Sequence, residues 1–258
     1  MLIECESVSY KYDKHFGIND ISLSFESGNF YTVMGQNGSG KSTLLRVLSG
    51  NIKPQSGSVF VNGKELFSFS EKSRAGLISY LPQNISCDFP YTCREAVSFG
   101  RVAFSKFFAS ANDEKIIYEV MELTNTLQFA DRKITEISGG EYRRVMIAQV
   151  LAQQAECIIL DEPVSSLDIS SSFEIIRLLF DLAVKKGLLV IVCLHEVNTA
   201  FCFPQEFIFM KNGSVLAKGH SEEILSETLI KDVYGIEAEI VNYGGVGDEK
   251  IPIIRKIR

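Results

Sequence analysis

The stretch GQNGSGKST, residues 35 to 43, constrains this chain more than any other. It fits G-x-x-x-x-G-K-[ST], follows the apolar run FYTVMG that reads as a strand, and opens GKSTLLRVLSG, which reads as a helix stopped by Gly50. In that setting Gly35, Gln36, Asn37, Gly38, Ser39 and Gly40 can turn successive backbone N–H groups inward as an anion nest. The following helix brings the positive end of its dipole to the same point. Lys41 is expected to reach the β- and γ-phosphates of a nucleotide, Ser42 to ligate Mg²⁺ through its hydroxyl, and Thr43 to add a phosphate contact.

The rest of the pattern suits a loop of this kind. GSVFVNGKEL reads as a hairpin turning at Asn62-Gly63, and LISYLPQ as a further strand. From about 93 to 153 the spacing of apolar residues turns helical, in REAVSFGRVAF, DEKIIYEVMELTNTL and EYRRVMIAQVLAQQA. Strand and helix then alternate through CIILDE, SFEIIRLLFDLAVKKG, LLVIVCLHE and the turn-linked pair FIFMKNGSVLAKG. Continuous apolar strands joined by helices imply a parallel sheet covered on both faces, here interrupted by a helical insert. NYGGVGDEKIPIIRKIR, at the end, has no clear period and is assigned no structure.

Composition narrows the function classes. A formal net charge of −6 argues against sequence-independent binding of nucleic acid through its backbone. No apolar run approaches the roughly 18 residues of a spanning helix, and MLIECESVSY lacks the regions of a signal peptide, so the chain is expected in the cytosol with any membrane role exercised through a partner. Six cysteines without a C-x-x-C pair, two of them inside apolar runs, read as reduced, packed thiols.

Two further stretches carry chemistry. CIILDEP is an apolar strand ending in Asp161 and Glu162, at the carboxyl edge of a sheet where ligands collect. Beside a phosphate loop, Asp161 is expected to hold Mg²⁺ and Glu162 to act as general base toward a water attacking the γ-phosphate. ISGGEYRR, residues 137 to 144, has the spacing of a capping box between Ser138 and Glu141. A helix start does not need Gly139 and Gly140, whose backbone entropy the fold must offset. Either Ser138 is only an N-cap, or something must approach a bare backbone there.

ISGGE, about 20 residues before CIILDE, resembles the signature of the ABC ATPases. In that family the signature of one subunit closes over the γ-phosphate held by the other subunit's phosphate loop, which implies a trans role for Ser138, Gly139, Gly140 and Glu141. Other motifs follow in family order. Gln83 in YLPQ matches the glutamine that senses metal and attacking water, Asp168 in SSLD resembles the aspartate that reaches across the dimer, and His195 matches the switch histidine at the γ-phosphate. Tyr12 has the spacing of the adenine-stacking aromatic, with Tyr10 as the other candidate and strand packing as the plain alternative for both. Ile137, Arg143 and Val164 depart from the usual leucine, glutamine and threonine.

The resemblance implies an α/β fold: a RecA-like P-loop ATPase core with an antiparallel β lobe and an inserted helical lobe at about 86–153. A single ATPase domain is expected over 1–240, followed by a tail at 241–258. It implies ATP and Mg²⁺ as cofactors, a homodimer formed on ATP binding, transmembrane permease subunits with a substrate-binding protein behind them, and a peripheral position on the cytoplasmic face of the membrane. FPYTCREAVSFGR, LHEVNTAFCFPQEFIFMKNGSVLAKG and LIKDVYGIEAEI are similar to ATPase subunits of importers for ferric siderophores, haem and cobalamin. A soluble ABC ATPase acting on DNA or the ribosome, an ATP-holding switch, and an exporter ATPase are the rival readings. The coiled-coil arms, doubled cassette or basic extensions of the first are absent from this sequence, and the base and histidine that the second would lack are present.

Overall fold

The computed structural model describes residues 1–13, 16–85, 87, 89–104, 110–165, 167–195, 200, 201, 203, 206–242 and 250–256. Along the chain, β1 (Leu2–Lys11), β2 (Gly17–Glu26) and β3 (Phe30–Gly35) precede α1 (Lys41–Leu48), and β4 (Ser56–Val61), β5 (Lys64–Glu65), α2 (Glu71–Leu77) and β6 (Ile78–Leu81) follow. Three helices come next, α3 (Cys93–Ser98), α4 (Ala111–Leu123) and α5 (Gly139–Ala152), then β7 (Cys157–Asp161), α6 (Ile169–Lys186) and β8 (Leu189–Cys193). The last part holds β9 (Glu206–Lys211), β10 (Ser214–His220), α7 (Ser221–Ile224), α8 (Glu227–Tyr234), β11 (Glu237–Asn242) and β12 (Lys250–Lys256).

A six-stranded sheet in the order β10-β9-β3-β8-β7-β6 forms the core, parallel from β9 to β6, with β10 antiparallel at one edge. Both faces are covered, which is why β7 and β8 are near-continuous apolar runs and the polar Thr32 of β3 and Ser79 of β6 are buried. Along β7, Ile158 and Leu160 pack toward the helices α3 to α6, whereas Cys157 and Ile159 pack toward α1 and the second sheet. That second sheet is antiparallel, four-stranded, in the order β2-β1-β4-β5, and Ile3, Val8, Ile18, Phe25 and Val59 close it over Leu44, Leu45 and Leu48 of α1. The expected hairpin at Asn62-Gly63 joins β4 to β5, with both residues at positive φ, as a two-residue type I′ turn requires.

The helical insert is built on close contact between α3 and α5. A Cβ at Gly100 would lie 2.2 Å from the carbonyl of Gln149, so a side chain there would force the two segments apart. The helix expected over REAVSFGRVAF is shorter than its pattern: α3 ends at Ser98 and tightens into a 3-10 turn over Phe99–Arg101. Arg101 then turns inward, pairs with Asp113 at 2.8 Å and donates to the carbonyl of Ala152, tying all three helices together.

The structure corrects the sequence reading at both ends. β1 and β2, ten residues each, were not legible as strands because register shifts between Cys5 and Val8 and between Val8 and Tyr10 break the alternation on which such a reading rests. The tail is not without structure: β12 pairs antiparallel with β11, and this ladder crosses the boundary expected at 240. Cys5, Cys87, Cys93, Cys157 and Cys193 carry no disulfide, as expected; Cys202 lies outside the described residues.

Candidate functional site

Four parallel strands that are neighbours in the sheet, β3, β8, β7 and β6, end at the same edge, and each hands the chain to one of the motifs. They surround a cavity of about 600 Å³ lined by Tyr12, Phe16, Gly17, Asn37, Gly38, Gly40, Lys41, Ser42, Thr43, Gln83, Glu162 and His195. Adjacent strands of a parallel sheet are the cheapest way to bring residues so far apart in sequence within reach of one ligand.

Lys41 is buried, and its ammonium group donates to the carbonyls of Gly35 at 2.9 Å and Gln36 at 2.8 Å. Burial pulls its pKa down, opposed by Cys193, Glu162 and Asp161 nearby. Asp161 is only 1% exposed; burial raises its pKa, and a hydrogen bond from Ser42 works the other way. Its Oδ1 is buried with no hydrogen-bond partner. A buried carboxylate oxygen so placed, on a residue that also bonds the hydroxyl of Ser42, suits a hard divalent cation. Glu162 takes a left-handed backbone conformation (φ 51), a strain of order 1 kcal/mol that turns its side chain into the cavity against the ring of His195.

Arg143, noted in the sequence only as a departure, proves central. Its guanidinium is buried and donates to five main-chain carbonyls: Pro82 and Gln83 at 3.2 Å, Pro163 at 3.1 Å, Asp161 at 2.8 Å and Glu162 at 2.7 Å. The helix carrying ISGGE is thereby stapled to both the glutamine loop and the acidic pair. Nothing in the one-dimensional pattern marks this, because its partners are all backbone.

The structure separates the other expected residues. Tyr12 lines the cavity, accepts a hydrogen bond from Arg46 at 3.3 Å and meets Tyr10 edge-on, whereas Tyr10 does not reach the cavity. Gly35, Gln36 and Ser39 do not line the cavity: a Cβ at Gly35 would lie 2.3 Å from the carbonyl of Met210, and the side-chain amide of Gln36 donates to the carbonyl of Tyr234 at 2.8 Å. Ser138, Gly139, Gly140, Glu141 and Asp168 are not at the cavity. Ser138 and Glu141 do form the capping box, with Ser138 N donating to Oε2 of Glu141 at 2.8 Å and Ser138 Oγ accepting from Glu141 N at 3.3 Å. Asp168 caps α6 through Ser171 at 2.9 Å, bonds that hold its carboxyl below its usual pKa. Yet a Cβ on Gly139 would meet nothing within 4 Å, so no contact within this chain asks for glycine there. Phe16 and Gly17 also line the cavity and were not singled out from the sequence, where no strand was assigned on either side of them.

The ABC transporter family model matches residues 18–165. The ABC transporter ATP-binding protein YvrA of Bacillus subtilis (strain 168) is 37% identical over 235 residues, 90% of this chain and 53% of that longer protein. The iron(3+)-hydroxamate import ATP-binding protein FhuC of the same organism is 34% identical over 241 residues, 93% of this chain and 90% of its own length. The dimeric post-hydrolysis structure of the ATP-binding cassette MJ0796, bound to ADP and Pi, superposes with a TM-score of 0.76 at 27% identity, covering 84% of this chain and 98% of that one. With the phosphate loop, the acidic pair and the histidine on neighbouring strands of one sheet, the chain belongs to the ABC transporter family as an ATP-binding subunit.

Proposed function

We propose that the chain is the ATP-hydrolysing subunit of an importer, energising uptake of a metal chelate of the ferric siderophore, haem or cobalamin type through a separate transmembrane permease. The observation that carries hydrolysis is the meeting of Lys41, Gln83, Glu162 and His195 at one cavity. Import of a chelate is supported by the likeness to FhuC over nine-tenths of both chains. No helix among the described residues is long and apolar enough to cross a membrane, in keeping with a peripheral subunit on the cytoplasmic face. A substrate-binding protein would act on the far side of the permease.

In this reading the ring of Tyr12 stacks on adenine, the loop amides of residues 37 to 43 cradle the phosphates, and Lys41 leaves its two carbonyls for the β- and γ-phosphates. Ser42, Asp161 and Gln83 would hold Mg²⁺, which when bound neutralises charge on the transferring phosphoryl group. Glu162 orients and deprotonates the attacking water, and His195, already bonded to that carboxylate, fixes its direction and faces the γ-phosphate. Ser138, Gly139, Gly140, Glu141 and Asp168 serve the site of a second copy, so ATP brings two chains together head to tail. Dimeric MJ0796 supports this arrangement.

The test is Glu162→Gln. It is expected to keep ATP affinity, to lower turnover by about 10²-fold or more, and to accumulate an ATP-bound dimer in size-exclusion chromatography. Near-parental steady-state hydrolysis would remove Glu162 from its role.

A further inference from the structure

Behind two of the residues that line the cavity, Glu162 and His195, lies a thiol that phosphoryl transfer does not need. Cys193 ends β8, is fully buried, and shares a hydrogen bond with Asp161. Its Sγ, a carboxylate oxygen of Glu162 and a ring nitrogen of His195 all lie within 4.8 Å of one another. Among the described residues no other group of three or more His, Cys, Asp and Glu side chains comes so close.

The donor set is one sulfur, one nitrogen and one oxygen. Mg²⁺ prefers oxygen alone, whereas Zn²⁺ takes this mixture in tetrahedral geometry, commonly as three protein ligands and an open fourth position. With metal bonds of about 2.0 to 2.3 Å, tetrahedral ligands sit roughly 3.5 Å apart, so the hydrogen-bonded Glu162 and His195 must part slightly to admit the ion while both stay within reach of Sγ. Cys193 is fixed by its strand. The side chain of His195 is 35% exposed, which gives the ring room to turn and leaves an opening for water as fourth ligand.

We propose that Glu162, Cys193 and His195 form a binding site for Zn²⁺ or a similarly thiophilic divalent cation, and that its occupation switches hydrolysis off. Binding exchanges the thiol proton of Cys193, released to solvent, for a metal–sulfur bond, and it replaces the Glu162–His195 hydrogen bond by two coordinate bonds. No electron is transferred. The base and the switch histidine are then both committed to the metal, so the cavity still accepts nucleotide phosphates on Lys41 and the loop amides but has no group left to activate water. Inhibition rests on the roles proposed above for Glu162 and His195; metal binding does not.

The test separates the two. The nucleotide-free full-length chain is titrated with Co²⁺, whose bond to a thiolate gives a charge-transfer band in the near ultraviolet, and Zn²⁺ is then added to displace it. One equivalent of Co²⁺ is expected to raise the band and Zn²⁺ to remove it. Cys193→Ser, which keeps a hydrogen-bonding hydroxyl beside Asp161, should lose the band, and His195→Ala should weaken Co²⁺ binding by about 10-fold or more. In hydrolysis assays at saturating Mg²⁺-ATP, micromolar Zn²⁺ should inhibit the parent, while Cys193→Ser should hydrolyse normally and resist it. A spectrum without a thiolate band, or a band that survives in Cys193→Ser, overturns the site. If Cys193→Ser fails to fold, unchanged Co²⁺ affinity in His195→Ala overturns it equally. An intact band in a protein that never hydrolyses ATP would instead reject the ATPase reading and leave the metal site standing.

Discussion

Arg143 on α5 donates to the main-chain carbonyl of Glu162 at 2.7 Å, so the helix that begins with ISGGE holds the very peptide that carries the proposed base. The same guanidinium reaches Gln83, and the three loops therefore shift together or not at all. A five-donor planar fork is the one side chain that can satisfy this many carbonyls from a single buried position.

Arg143→Met should lower the unfolding free energy by about 3 kcal/mol or more, because several buried carbonyls lose a charge-assisted partner at once. Arg143→Lys should recover only part of this, since an ammonium group has three donors and no fork. Urea denaturation of the nucleotide-free chain measures both. If the staple also positions Glu162, the kcat of Arg143→Lys should fall while KM for ATP stays near the parental value; an unchanged kcat would reduce Arg143 to packing.

Lys41→Ala differs in kind from the loss of the base. Lys41 is the one cation that residues 35 to 43 supply, and its ammonium group donates to the carbonyls of Gly35 and Gln36. Both ATP binding and hydrolysis should weaken, by at least about 10-fold in Kd for the loss of a charge-assisted contact. Equilibrium binding of a non-hydrolysable analogue that matched the parent's would sink the reading of this loop.

Asp161 makes a pH-dependent prediction. Burial raises its pKa in the folded state, so the folded chain holds a proton that the unfolded chain has already released between the two pKa values. Its contribution to stability is therefore present at low pH and is lost as pH rises from the unfolded pKa through the raised folded one. Asp161→Asn should accordingly be more stable than the parent at neutral pH without metal, with the difference shrinking as pH falls through that window. Thermal melts from neutral to acidic pH check this, and a constant difference across the range would refute it.

Ser138→Asp tells a cap from a trans site. Aspartate caps a helix at least as well as serine, so the monomer should melt at the parental temperature or slightly above it. Facing the γ-phosphate of a second copy, the same carboxylate meets like charge at a repulsion of about 4 kcal/mol per pair at 4 Å and an effective dielectric near 20. Dimer formation with ATP in a Glu162→Gln background should then fail. A variant that dimerises normally returns Gly139 to being an exposed glycine without a task.

The sequence by itself was enough for the phosphate loop, the acidic pair and the capping box, because each is local: a turn that needs glycine, a strand that ends in charge, a serine three residues before a glutamate. It was also enough for the covered parallel sheet, since strands buried on both faces read as near-continuous apolar runs, as CIIL and LVIVC do. Only the tertiary structure decided what depends on partners far along the chain. It put Gln83, Glu162 and His195 around one cavity through the strand order β3-β8-β7-β6, which no residue pattern encodes. The bulged β1 and the antiparallel ladder of β11 with β12 became visible only through their pairing, because a strand with broken alternation is defined by its neighbour's hydrogen bonds. Arg143 and Cys193 looked like a substitution and a packed thiol until the fold set backbone carbonyls around the one and Glu162 and His195 beside the other.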